Sequence, residues 1–259
     1  MKSSISNYES LLYISGVKVY GVNSVNFGYS LPLQHVNVIG FDKFATFTTS
    51  PPQSSLSVQK YLSKNDMFLN FTGAVGVSGG LFYNNTNFSF DNAYLNSYTV
   101  SCSVGNFPSL SCDFNICGNV GTGLTNTGVS ETGALTVVRP ADIKIQCDGS
   151  GTNRIESFSY SVDCSRQVFY TPTGSGKTDV ITTRPFKVSA QFSIGVDDYE
   201  SKRLFDYVID SNKKNISIEL GSITQLAPFT MSNMELIGES VNSTATDDLV
   251  MTLNYVGYV

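Results

Sequence analysis

The chain alternates. Apolar side chains stand at every second position in Val17–Tyr20, Val25–Leu31, Leu56–Tyr61, Thr99–Val104 and Leu110–Phe114. They do so again in Ile143–Ile145, Phe158–Val162, Val188–Ile194, Ile216–Leu220 and Val250–Tyr255. Successive side chains of a strand point to opposite faces, so each run predicts a strand with one buried and one wet face. Gly, Asn, Asp and Pro separate the runs, as turns require. Many short strands divided by turn signals predict an all-β sandwich or barrel. One segment reads as minor α. In Tyr199–Ile209, the residues Leu204, Phe205, Val208 and Ile209 share a helical face, with Asp197 and Asp198 placed to cap it. A helix of about three turns needs packing against a sheet to persist. Lys64–Phe71, at the equivalent place in the first half, is shorter and ambiguous.

The halves echo each other. Phe27–Leu31 is echoed by Phe158–Val162, Gln34–Val36 by Arg166–Val168, and Thr48–Pro52 by Thr182–Phe186. An alternating strand follows each, Leu56–Tyr61 and Val188–Ile194. The order is kept while the offset drifts from 131 (Phe27 to Phe158) to 134 (Thr48 to Thr182). A repeat of that period is domain-sized. It predicts two tandem β-sandwich domains, 1–125 and 126–259, divided in the Gly/Thr/Asn/Ser-rich stretch Gly118–Gly133 and each carrying a flanking helix that is clearer in the second. The copies differ, since Thr171–Thr178 replaces Asn37–Asp42 with a longer insert.

Composition narrows the function. Charged residues make up only 14% of the 259 and hydrophobic residues 41%, against about a quarter charged in a typical soluble domain. The polar surface must be mostly Ser, Thr, Asn and Gly. A net charge of −5 argues against binding nucleic acid through its phosphates, which takes a Lys/Arg patch. An acidic wall would instead repel phosphate. No apolar run of 18 or more residues predicts a membrane-spanning segment, and the first ten residues lack the apolar core of a secretory signal. Cys102, Cys112, Cys117, Cys147 and Cys164 match no zinc or redox spacing and predict free buried thiols. The sequons at Asn70, Asn84, Asn87, Asn215 and Asn242 carry no meaning without export.

The chain carries no constellation for catalysis. Gly174–Thr178 resembles the end of a phosphate-binding loop, but that loop needs a glycine where Thr171 stands and a helix immediately after the lysine. Asp179–Pro185 follows instead, β-branched and ending in proline, so a hairpin tip fits better. The single histidine, His35, has no ligand or nucleophile at a useful spacing. The pairs Asp197/Asp198 and Asp247/Asp248 fall at a helix cap and a hairpin turn. No catalytic residue, cofactor or metal site is expected.

Several stretches resemble a known family. Asn23–Pro32 resembles the first long strand of tail tube proteins of tailed bacteriophages, and Leu56–Leu62 their following inner strand. Ala93–Phe114, with its Val104-Gly105-Asn106 turn, is similar to their closing hairpin. Phe229–Tyr255 is a looser match, with Gly238-Glu239-Ser240 and a longer tip in place of the Val-Gly-Asn turn. The resemblance implies a sandwich with a flanking helix whose inner strands join between neighbours around a lumen for DNA. It also implies six domains per ring, hence a trimer of two-domain chains with pseudo-sixfold symmetry, stacked into a tube. Partners would be the chain itself, other tail proteins at the tube ends, and DNA passing without specific binding. The location would be the virion tail, after synthesis in the host cytoplasm. Candidates for contacts between rings are Val38, Ile39, Gly40 and Phe41 in one loop, with Thr173, Gly174, Ser175, Gly176 and Lys177 in the other. The rival expectation is a receptor-binding, baseplate or adhesin-type β-sandwich.

Overall fold

A computed structural model describes residues 10–30, 33–36, 45–48, 53–63, 66–73, 75–83, 86–122, 137, 139, 143–147, 150–151, 155–170, 178–195, 213–220, 231–243 and 249–259. The fold is nearly all β, as the alternation predicts. The first half contributes β1 (Leu11–Ile14), β2 (Val17–Lys18), β3 (Val22–Ser30), β4 (Leu33–Val36), β5 (Ala45–Thr48), β6 (Gln53–Tyr61), β7 (Val77–Tyr83), β8 (Thr86–Ser103), β9 (Ser109–Ile116) and β10 (Val120–Gly121). The second contributes β11 (Ile143–Cys147), β12 (Ser150–Gly151), β13 (Ile155–Asp163), β14 (Arg166–Tyr170), β15 (Thr178–Thr182), β16 (Lys187–Gly195), β17 (Lys214–Leu220), β18 (Met231–Asn242) and β19 (Val250–Tyr258). Fifteen strands form one antiparallel sheet, and β4–β5 and β14–β15 stand apart as hairpins.

The two halves pair their strands in the same order. The first runs β3-β6-β9-β8-β7-β1-β2 and the second β13-β16-β19-β18-β17-β11-β12, and β8 pairs β13 to fuse them. The registers agree as well. Phe27 faces Leu56 as Tyr160 faces Ala190, and Leu56 faces Phe114 as Ala190 faces Tyr255. Three register shifts recur at matching places. They lie at Val22/Ser24 and Ile155/Ser157, at Val77/Gly79 and Lys214/Ile216, and at Leu95/Ser97 and Leu236/Gly238. A bulge bends a strand and re-aims its side chains, so recurrence at three sites marks a shared geometry.

These registers correct the sequence alignment of the halves. Phe27 corresponds to Tyr160, not Phe158, and Arg166 to Leu33, not Gln34. The first is a slip of two residues, which keeps every side chain on its own face and leaves the apolar alternation unchanged, and the second is a slip of one. A second correction concerns Gly238-Glu239-Ser240, which is not a turn. It lies inside β18 at the bulge, opposite Asn254, Leu253 and Thr252. An isolated glycine in a strand marks a bulge as readily as a turn. Between strand ends the second connection, 243–249, remains longer than the first, 104–108.

Alternation builds the core. β9, β16 and β19 bury every second residue, giving Leu110, Cys112, Phe114, Val188, Ala190, Phe192, Met251, Leu253 and Tyr255. In the first half a 3-10 helix over Met67–Thr72 covers this face. Asp66 accepts the Phe68 backbone N–H at 3.0 Å to cap it, and the Phe68 ring packs on Phe114. The helix expected over Tyr199–Ile209 lies outside the described residues, as do both Asp-Asp pairs and most of the expected domain boundary. Among the described residues, no helix is long and apolar enough to cross a membrane.

Candidate functional site

The join between the halves is the first place to look. β8 and β13 pair from Ser157 opposite Ser103 to Asp163 opposite Ser97. On one side Tyr98, Val100, Phe158, Tyr160 and Val162 are buried together. On the other, Ser97, Thr99, Ser101 and Ser103 stand beside Ser157, Ser159 and Ser161. That polar face continues outward through Ser109 and Ser111 on β9, Ser55, Ser57 and Gln59 on β6, and Ser189, Gln191 and Ser193 on β16. Hydroxyls bond across strands, Ser101 Oγ with Ser109 Oγ at 3.1 Å and Ser193 Oγ with Thr252 Oγ1 at 3.4 Å. Such cross-strand pairs stabilise the sheet while leaving its face nearly neutral.

Few charges interrupt it. Asp113 accepts from Ser97 Oγ at 2.7 Å. Asp163 lies directly opposite Lys187, and Glu156 sits at the β13 bulge. On these strands the polar face is therefore built mainly of hydroxyl and amide side chains.

Arg166 anchors the join. At the start of β14, its Nε donates to the Leu95 carbonyl at 3.2 Å, and Nη1 donates to Thr182 Oγ1 at 2.5 Å. Its Nη2 donates to the carbonyls of Thr72 at 3.2 Å and Gly73 at 2.9 Å. The guanidinium lies 5.7 Å from the Tyr94 ring centroid. One fork thus ties the second half's hairpin to β8 and to the end of the 3-10 helix in the first half. Planar, multiply donating arginine suits this role and lysine does not.

A buried ion pair lies under the first half. Lys60 occupies an inward position of β6, with its Nζ 3.4 Å from Asp66 Oδ2, 3.2 Å from Ser63 Oγ and 5.3 Å from the Phe68 ring centroid. Burial raises the Asp66 carboxyl above its ordinary value, opposed by the Lys60 charge and the Phe68 N–H. Burial likewise raises the Cys112 thiol well above its ordinary value and the Cys164 thiol to about 11. Cys102, Cys112, Cys117 and Cys164 are free, and all but the half-buried Cys117 are buried as expected; protonated buried thiols are poor nucleophiles. Both side chains of the ion pair are buried. Among the described residues, no group of three or more His, Cys, Asp or Glu is placed to hold a metal ion.

Sequence reasoning missed Lys60, Asp66 and Arg166. A lysine at an inward strand parity was the available signal for the first. The loop candidates Val38–Phe41 and Thr173–Lys177 lie outside the described residues. The strands that carry them are described, and each loop joins a hairpin, Val36 facing Ala45 and Tyr170 facing Thr178. Strand β15 begins at Thr178, directly after Lys177, so the helix that a phosphate-binding loop needs is not there.

No protein-family model matches the chain, and no curated protein is similar to it.

Proposed function

We propose that the chain is a structural subunit of a bacteriophage tail tube, a conduit and not a catalyst. In this reading two tandem copies of one tube domain assemble as trimers into stacked pseudo-sixfold rings around a lumen for DNA. The hydroxyl face shared by β6, β9, β8, β13 and β16 carries the reading. Phosphate binding gains its affinity from Lys and Arg displacing counterions. The cation on this face, Lys187, already faces Asp163. Such a wall hydrates a passing duplex without holding it. The matching strand order of the halves supports two equivalent positions per chain in a ring.

Electron microscopy of the purified protein tests the proposal. Tubes or sixfold rings are the expected result. Discrete trimers displaying loops, with no stacking at any concentration, would favour a receptor-binding sandwich and overturn it.

A further inference from the structure

We infer that the outer edges of the sheet, β3 and the second half of β18, form one more join of the β8–β13 kind, closed by a second copy of this chain in a defined register. This rests on the reading that the chain assembles with itself, but not on the assembly being a tube.

The internal join shows what each edge lacks. Ala93 pairs both Val77 and Ile116, and Ser97–Ser101 lie between β9 and β13, so β7 and β13 share one edge of β8. The corresponding edge of β18 holds β17 over Met231–Met234, with β19 on the opposite edge. Beyond Met234, among the described residues, nothing fills the place that β13 takes beside β8. At the far end β3 has β6 as its strand partner among the described residues, and its other edge is the counterpart of the edge that β13 presents to β8. The chain thus carries both sides of a second join at opposite ends of one sheet.

Burial supports this. Val100 is 1% exposed and Val162 0%, while their counterparts Val241 and Tyr29 are 43% and 59% exposed. These apolar residues are covered where the join exists and open where it does not. Unpaired strand edges with exposed apolar side chains are templates for addition of another strand. Because β3 and β18 differ, the contact is head-to-tail, the kind that closes into rings by rotation.

The register follows from the internal pairs. Tyr160 opposite Val100 becomes Phe27 opposite Val241, and Ser159 opposite Ser101 becomes Asn26 opposite Asn242. Directly opposed antiparallel residues lie about 4.5–5.5 Å apart at Cα, within the range a disulfide spans. Asn26 and Ser240 would sit diagonally, about 7–8 Å apart.

Equimolar Asn26→Cys and Asn242→Cys single variants are mixed, assembled and oxidised, beside Asn26→Cys mixed with Ser240→Cys. Non-reducing gels should show cross-linked dimers for the first mixture, at least tenfold more than for the second and for wild type. Light scattering on the same samples separates two failures. Assembled protein with no 26–242 link, or with the 26–240 link dominant, overturns the register. Protein that stays monomeric at all concentrations overturns the self-assembly reading beneath it.

Discussion

Lys60 Nζ stands 3.4 Å from Asp66 Oδ2, with the two side chains only 4% and 3% exposed. The pair is long for a hydrogen bond, and burial outweighs the lysine charge in setting the Asp66 carboxyl. Breaking such a pair from one side leaves a buried charge uncompensated, at a cost of about 3–5 kcal/mol, whereas neutralising both sides is close to neutral. Lys60→Met should therefore lower unfolding stability by about that amount, and Lys60→Met with Asp66→Asn should recover most of it. Asparagine keeps the helix cap. Urea titration of the three proteins measures the difference.

The same carboxyl sets a pH dependence. Its pKa is raised in the folded state from 3.8, so the folded protein holds that proton more tightly than the unfolded chain. The stability it contributes is full below 3.8 and is lost as pH rises through the raised value. The stability of Asp66→Asn relative to wild type should therefore climb with pH above 3.8 and then level off. A flat difference across the acid range would show that burial does not control this group.

Arg166 donates to three main-chain carbonyls and one hydroxyl. Hydrogen bonds to a charged group contribute about 1.5–3 kcal/mol, and orphaned carbonyls cost more than lost bonds. Arg166→Ala should lower stability by about 2 kcal/mol. Arg166→Lys should restore little, because an ammonium cannot reproduce the fork. Equal stability of the lysine variant and wild type would leave the charge alone responsible.

The counterpart of Arg166 in the first half is Leu33, opposite Thr48 as Arg166 is opposite Thr182. The proposed join between chains therefore lacks the clamp that secures the join within the chain. Leu33→Arg should strengthen it, since the carbonyl of Leu236 stands in the place of that of Leu95, and Glu235 in the place of Tyr94. A gain of about 1.4 kcal/mol would lower the half-assembly concentration about tenfold. Light scattering across a dilution series reads this directly.

Deletion of Thr173–Lys177 shortens the tip between Tyr170 and Thr178, which face each other across the β14–β15 hairpin. If this loop stacks rings, tubes should shorten or fail while circular dichroism and urea stability stay unchanged. Tubes of ordinary length and yield from the deletion protein would remove the loop from the stacking interface.

Much of the fold was legible in the sequence. The alternation of Val188–Ile194 and Leu110–Phe114 identified strands and the faces they bury, because side-chain direction in a strand is a local property. The Val104-Gly105-Asn106 turn was equally visible, and Gly105 has the positive φ of 83° that such a turn favours. Lys60 was not visible as a core residue. Whether an inward lysine is tolerable depends on Asp66 arriving from the next element, which no local pattern records.

The sequence by itself determined that the alternating runs become strands, which side of each is apolar, and that two halves share a pattern. Only the tertiary structure decided that Phe27 corresponds to Tyr160, that Gly238 is a bulge, and that β8 joins β13 to make one hydroxyl face. The physical reason is that a period of two is blind to a slip of two residues. Register is settled by bulges, by side chains that must fit across strands, and by long-range anchors such as the Arg166 fork, all of which exist only once the chain has folded.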